Sequence, residues 1–121
     1  MTESILNSTK ASLGIPEEQT AFDVELLMHI NSAFTTLTQL GVGPSSGLTV
    51  EDDVPVWSDL IGNDPRLNSA KSYVYLRVKL LFDPPEVGFV LTAMKQQIEE
   101  QEWRLNVTVD DELPIEEEVL P

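Results

Sequence analysis

Apolar residues recur along this chain at steps of three and four, the spacing that keeps side chains on one face of an α-helix. The clearest run is Phe22, Leu26, Ile30, Ala33, Leu37 and Leu40, with Leu27 and Phe34 widening the stripe. It predicts an amphipathic helix that opens at Thr20-Ala21-Phe22-Asp23, where Thr20 and Asp23 are spaced as a capping box. Gly41-Val42-Gly43-Pro44 closes it, with glycine at the stop and proline soon after. A shorter helix is predicted from the cap-competent Thr2 to Leu13, with Ile5, Leu6, Thr9 and Leu13 in phase and Gly14 and Pro16 ending it.

A third long helix is announced by Asn63-Asp64-Pro65, a cap followed by proline at the first helical position. It is expected to reach about Phe82 and to bury Leu67, Ala70, Tyr73, Val74, Val78 and Leu81. Leu76, Leu80 and Phe82 lie partly off that stripe, so this helix is apolar on more than one face. That pattern suits a central helix, or one that also meets a neighbouring subunit. Asp83-Pro84-Pro85 breaks it and caps a fourth helix, in which Val87, Val90, Leu91, Met94, Ile98 and Leu105 share a face over roughly 20 residues.

Between the second and third helices, residues 41–56 read as an exposed loop with one extended piece, Leu48-Thr49-Val50, followed by Glu51-Asp52-Asp53. Residues 55–62 predict a short helical turn that points Trp57, Leu60 and Ile61 inward and ends at Gly62. Asn106-Val107-Thr108-Val109 alternates like a strand. The Glu- and Pro-containing end beyond it resembles a tail that orders only on a partner. The pattern therefore predicts an all-α fold, a small bundle of about four main helices plus a short helical turn. Residues 1–105 form the helical domain and 106–121 an extended acidic C-terminal tail or arm.

Composition narrows what such a bundle does. The chain has 121 residues and 41% hydrophobic content, enough for one modest core. Seven basic against 21 acidic residues give a net charge of −14, which repels phosphates and opposes sequence-independent DNA binding. Six of those acids fall in 106–121, which holds no basic residue. With no cysteine there is no disulfide, thiolate metal site or cysteine nucleophile, as a reducing compartment permits. No apolar run approaches the roughly 20 residues of a membrane span, and the start lacks the layout of a signal peptide, so a soluble cytosolic chain with no membrane partner is expected.

The inventory for catalysis is thin. Phosphate-binding, dinucleotide-binding, zinc-protease, nucleophile-elbow and EF-hand motifs are all missing. His29, the only histidine, stands one helical turn from Glu25, where a boundary residue is the simpler reading. Glu51-Asp52-Asp53 offers adjacent carboxylates, which are more often solvated than metal-bound. Trp57, Tyr73, Tyr75, Phe89 and Trp103 lack the basic groove that single-strand binders pair with aromatics, so packing is the reading for them. No enzyme activity and no cofactor is expected. Arg66, Lys71, Arg77 and Lys79 all fall on the third helix of an acidic protein, either as a solvated face or to meet a neighbour's acidic surface.

Several ordered stretches resemble the head-tail connector (adaptor) proteins of tailed bacteriophages. They are 21–34 with the Gly41–Pro44 turn, Trp57-Ser58-Asp59, the run 73–85, and Glu102-Trp103-Arg104-Leu105-Asn106, spanning about residues 2–106. The resemblance implies a structural virion protein made in the host bacterial cytoplasm and placed at the head-tail interface. It implies a ring, usually of twelve copies, docked below the portal, followed by a stopper or tail-completion protein. DNA would pass through its channel without specific binding. On this reading Arg66, Lys71, Arg77, Lys79, Tyr75, Phe89 and Trp103 are candidates for the subunit interface. Val107, Val109, Leu113, Ile115, Val119 and Leu120 of the arm, and Leu48 and Val50 of the loop, are candidates for portal or neck contacts. The tail is longer and more acidic than the family pattern. Two other classes fit the residues: an acidic DNA mimic that inhibits a nucleic-acid enzyme, and an enzyme or metal-dependent regulator resting only on Glu51-Asp52-Asp53 and His29.

Overall fold

Five α-helices follow one another along the chain in a computed structural model, which describes residues 3–110. They are α1 (Ile5–Ser12), α2 (Asp23–Gln39), α3 (Trp57–Ile61), α4 (Ser69–Phe82) and α5 (Gly88–Asp110), with a 3-10 turn at Pro65–Leu67. Among the described residues there is no strand, only an isolated antiparallel bridge between Ser4 and Val56. The all-α expectation holds.

α4 is the central element. Phe22, just before α2, meets Phe82 at the end of α4, with ring centroids 5.3 Å apart. Tyr73 near the start of α4 meets Glu102 late in α5. Both flanking helices therefore run antiparallel to α4, and their C-terminal ends meet: Asn106 Nδ2 donates to the Leu40 carbonyl at 3.4 Å. α1 closes the remaining side against α2 and α4.

Trp57 fills the space between α1, α2 and α4 and is fully buried. Its indole lies edge-on to Tyr75 at 5.8 Å and tilted against Phe34 at 6.3 Å. Its Nε1–H donates to Ser8 Oγ at 2.8 Å, so burial leaves no unsatisfied donor. α3, the predicted helical turn, buries Trp57, Leu60 and Ile61 as expected. It is fastened at its start by Asp59 Oδ2, which accepts from Val56 N–H at 2.9 Å.

Several local expectations are corrected. Ser4, not Thr2, caps α1: its hydroxyl accepts from Asn7 N–H at 3.2 Å, and Thr2 lies outside the described residues. The Thr20–Asp23 capping box does not form, because the Asp23 carboxylate turns 2.9 Å from the buried ammonium of Lys10. A buried cation needs its counter-ion more than a helix start needs one exposed bond. Phe22, predicted on the buried stripe, is 38% exposed.

The third predicted helix opens as the 3-10 turn, where Asp64 accepts from Arg66 N–H at 3.0 Å and also holds its guanidinium, and only then becomes α4. Leu81 is exposed. Asp83 does not cap the fourth helix, since its carboxylate takes Lys79 at 2.8 Å and α5 starts at Gly88. α5 is 23 residues long against 14 for α4. Its first turns therefore outrun their support, which leaves Val87 and Val90 exposed while Ile98 and Leu105 are buried. Asn106-Val107-Thr108-Val109 is not a strand but the last turn of α5. Of the tail predicted over 106–121, residues 106–110 therefore belong to α5, and residues 111–121 lie outside the described residues.

The 41–56 loop is exposed only in part, because Val42 and Val50 are buried in the core. Asn31 of α2 holds Val50 as a strand partner would, donating to its carbonyl at 2.9 Å and accepting from its N–H at 2.8 Å. Gly41 has φ +89°, and a Cβ there would come 2.9 Å from Val109 Cγ1, so the turn requires glycine on both counts.

Trp57→Ala is expected to lower unfolding free energy by about 3–5 kcal/mol. Ser8→Ala, which strands the indole N–H, is expected to lower it by about 1–3 kcal/mol. Urea denaturation followed by circular dichroism measures both. Equal stability of the Ser8 variant and the parent would show that the indole N–H has another partner.

Candidate assembly interface

The four basic residues predicted on the third helix all have acidic partners within the chain. Arg66 Nη2 sits 3.0 Å from Asp64 Oδ2. Lys71 pairs with Glu3 and stands 6.0 Å from the Trp57 ring centroid. Lys79 pairs with Asp83 at 2.8 Å, one turn on. The Lys71 ammonium holds the Glu3 carboxyl below its ordinary range, and the Asp64 carboxyl is lowered by hydrogen bonds from Arg66.

Arg77 is the most deeply engaged of the four. From α4 its Nη1 donates to Thr36 Oγ1 of α2 and to Tyr73 Oη, both at 2.9 Å, and Nη2 reaches Ser32 Oγ at 3.3 Å. On its other side Nη1 lies 3.9 Å from Glu102 Oε2 of α5. Tyr73 Oη donates to the same carboxylate oxygen at 2.7 Å. One cation thus ties both flanking helices to the central one. Burial, then the Glu102 hydrogen bond, pushes the Tyr73 phenol up to about 12.

The predicted aromatic candidates separate. Tyr75 is half-buried against Trp57. Phe89 and Trp103 point to solvent from α5, 78% and 66% exposed. Of the arm and loop candidates, Val107, Val109 and Leu48 are half-buried and Val50 is in the core. Leu113, Ile115, Val119 and Leu120 lie outside the described residues. Val109 lines a cavity of about 440 Å³ at the end of the bundle with Gly43, Leu60, Asp64 and Leu67.

The remaining chemical candidates stay apart. His29 Nε2 is 3.4 Å from Glu25 Oε2 on the α2 surface. Glu51, Asp52 and Asp53 are exposed, and Asp52 Oδ1 accepts from Val54 N–H at 2.9 Å. Among the described residues no three histidine, aspartate or glutamate side chains are arranged to hold a metal ion. No helix among them is long and apolar enough to cross a membrane.

Sequence reasoning missed two features. Lys10 is 1% exposed, held by Asp23 and by the Glu17 carbonyl at 2.9 Å. Val24 and Met28 are 76% and 65% exposed on the outer face of α2. Their position opposite Leu26 and Ile30 in the helical repeat was the available signal.

A helical scaffold that pairs Arg66, Lys71, Arg77 and Lys79 with its own acids and leaves Val24, Met28, Phe89 and Trp103 exposed has the character of a structural assembly protein. The chain belongs to the phage connector protein family, which matches it over residues 5–112. This is a structural family rather than an enzymatic one, and membership implies contacts with other phage head and tail proteins at the virion neck. No curated protein and no solved structure shows significant similarity to the chain.

Arg77→Ala is expected to cost about 1–3 kcal/mol, because Glu102 and Tyr73 lose their shared cation, whereas Lys79→Ala should stay within about 0.5 kcal/mol. Thermal melts of the two variants measure the contrast. Tyr73 adds a pH signature. Its folded-state pKa is raised from 10.0 to about 12, so its contribution is complete below pH 10 and is lost as pH rises towards 12. The stability difference between the parent and Tyr73→Phe should shrink by up to about 2 kcal/mol across that window. A constant difference from pH 9 to 12 would show that the phenol is not so perturbed.

Proposed function

We propose that this chain is the adaptor subunit of a phage neck, forming an oligomeric ring that joins the portal to the tail side and continues the DNA channel. The observation that carries the reading is the family match over residues 5–112. Related connectors usually assemble as twelve copies, and the portal and a stopper or tail-completion protein are the partners proposed.

The electrostatics support a conducting role. DNA passing a wall of net charge −14 is not retained. Arg66 of the 3-10 turn and Lys71, Arg77 and Lys79 of α4 pair with Asp64, Glu3, Glu102 and Asp83 and form no phosphate-gripping groove.

The geometry supports contacts at two ends. α5 finishes beside Leu40 and Gly41, at the C-terminal end of α2, so residues 111–121 depart from there. Glu51, Asp52 and Asp53 lie with Thr20, Asp23 and Val24 at the opposite end of α2, about 25 Å away for 17 residues. We assign the arm, with Leu113, Ile115, Val119 and Leu120, to the portal, and the acidic stretch of the loop to the next ring.

Size-exclusion light scattering of the full chain mixed with its cognate portal ring tests the reading. The expected result is co-elution with a mass gain that is a whole multiple of 13.5 kDa. Leu113→Asp with Ile115→Asp should weaken co-elution at least tenfold while the far-UV circular dichroism stays helical. A chain that stays monomeric and never co-elutes with portal would refute the adaptor role.

A further inference from the structure

The end of the bundle from which residues 111–121 depart holds the cavity of about 440 Å³, many times the roughly 30 Å³ share of one water. Its walls include the buried Leu60 and Ile61 of α3, Leu67 of the 3-10 turn and Val109 of the last turn of α5. Gly43 and Gly62 add backbone without a side chain, and a Cβ at Gly62 would meet nothing within 4 Å. Two acids, Asp59 and Asp64, also line it, and Arg66 is paired with Asp64. That balance offers an acidic segment no net electrostatic attraction, so an occupant drawn from this chain is held by apolar contact.

The chain beyond α5 starts at this cavity and supplies such an occupant. Val109 already lines it, and Leu113 stands four positions on. One further helical turn, about 6 Å at 1.5 Å per residue, would set Leu113 on the face of α5 that enters the cavity. An extended course reaches as far, since three residues past Asp110 span about 10 Å. Pro114 disfavours helix at the residue before it, so the turn at Leu113 is the last that α5 has available. Leu113 and Ile115 are the first aliphatic side chains after Val109, and Glu116, Glu117 and Glu118 follow only beyond them. So short a tether also gives the segment a high effective concentration that no other molecule shares.

We propose that Leu113, followed by Ile115, seats in this cavity of its own chain in the free subunit. The inference concerns the chain before it meets any partner and does not depend on the ring. It bears on the adaptor reading because the same two residues are assigned above to the portal. Cavity and portal then compete for one segment, and the portal draws the arm out only by binding it more tightly than the cavity does.

Nuclear Overhauser contacts between methyl groups of the full chain, in the absence of portal, test the proposal. The expected result is contacts from the Leu113 methyls to those of Leu60 or Leu67. In an equal mixture of chains with complementary isotope labels, no such contact should cross from one copy to another. Leu113→Asp should shift the amide signals of Gly43 and Gly62 more than Val119→Asp does, with far-UV circular dichroism unchanged. Leu113 methyls that meet only their sequence neighbours would overturn the proposal. Contacts found only between copies would overturn it too, since the cavity would then hold an exchanged arm, and so would equal amide shifts from the two substitutions. A chain that co-elutes with portal yet lacks the contact keeps the adaptor reading and loses this one. A chain that makes the contact yet never binds portal does the reverse.

Discussion

The constraint on which this structure depends is that α4 must be buried along most of its length. Ala70, Tyr73, Val74 and Val78 are fully enclosed, and Leu76, Leu80 and Phe82 pack against the same core from other directions. No single partner helix covers so wide an apolar surface, so α2 and α5 take opposite flanks while α1 and the Trp57 plug fill the remaining side. The antiparallel course of both flanking helices, and the convergence of their C-terminal ends near Leu40 and Asn106, follow from that placement.

Polar groups then choose among the ways the flanks might slide. Arg77 bonds to Ser32 and Thr36 on one side and pairs with Glu102 on the other, and Tyr73 shares both Arg77 and Glu102. An apolar interface tolerates a shift of one turn more readily than a guanidinium tolerates losing its partners Ser32 and Thr36 on one flank or Glu102 on the other. Asn31 does the same for the loop, holding Val50 by two backbone bonds where no neighbouring strand exists.

Much of this was legible because it is periodic. Leu26, Ile30, Ala33 and Leu37 are buried as their spacing demands, and Trp57, Leu60 and Ile61 turn inward as the short helix predicts. The departures arise where a long-range partner outbids a local rule. Asp23 abandons its cap for Lys10, which lies a full loop away in sequence. Val50 is flanked by the polar Thr49 and Glu51, yet Asn31, 19 positions earlier, draws it into the core. Val87 and Val90 fit an apolar stripe but sit where α5 outruns α4, and no helical repeat encodes how long its neighbour is. The exposed apolar groups were half legible. Phe89 and Trp103 were visible as aromatics, whereas Val24 and Met28 passed as ordinary members of a helix until their direction was known.

The balance of charge connects the fold to its setting. A chain of net charge −14 that spends Arg66, Lys71, Arg77 and Lys79 on its own acids keeps little positive potential on its surface. Such a charge also resists the close approach of other acidic surfaces, so contacts with them are easiest where the acidity is locally broken. The segment Gly88–Gln97 is such a break, free of acids and led by Phe89.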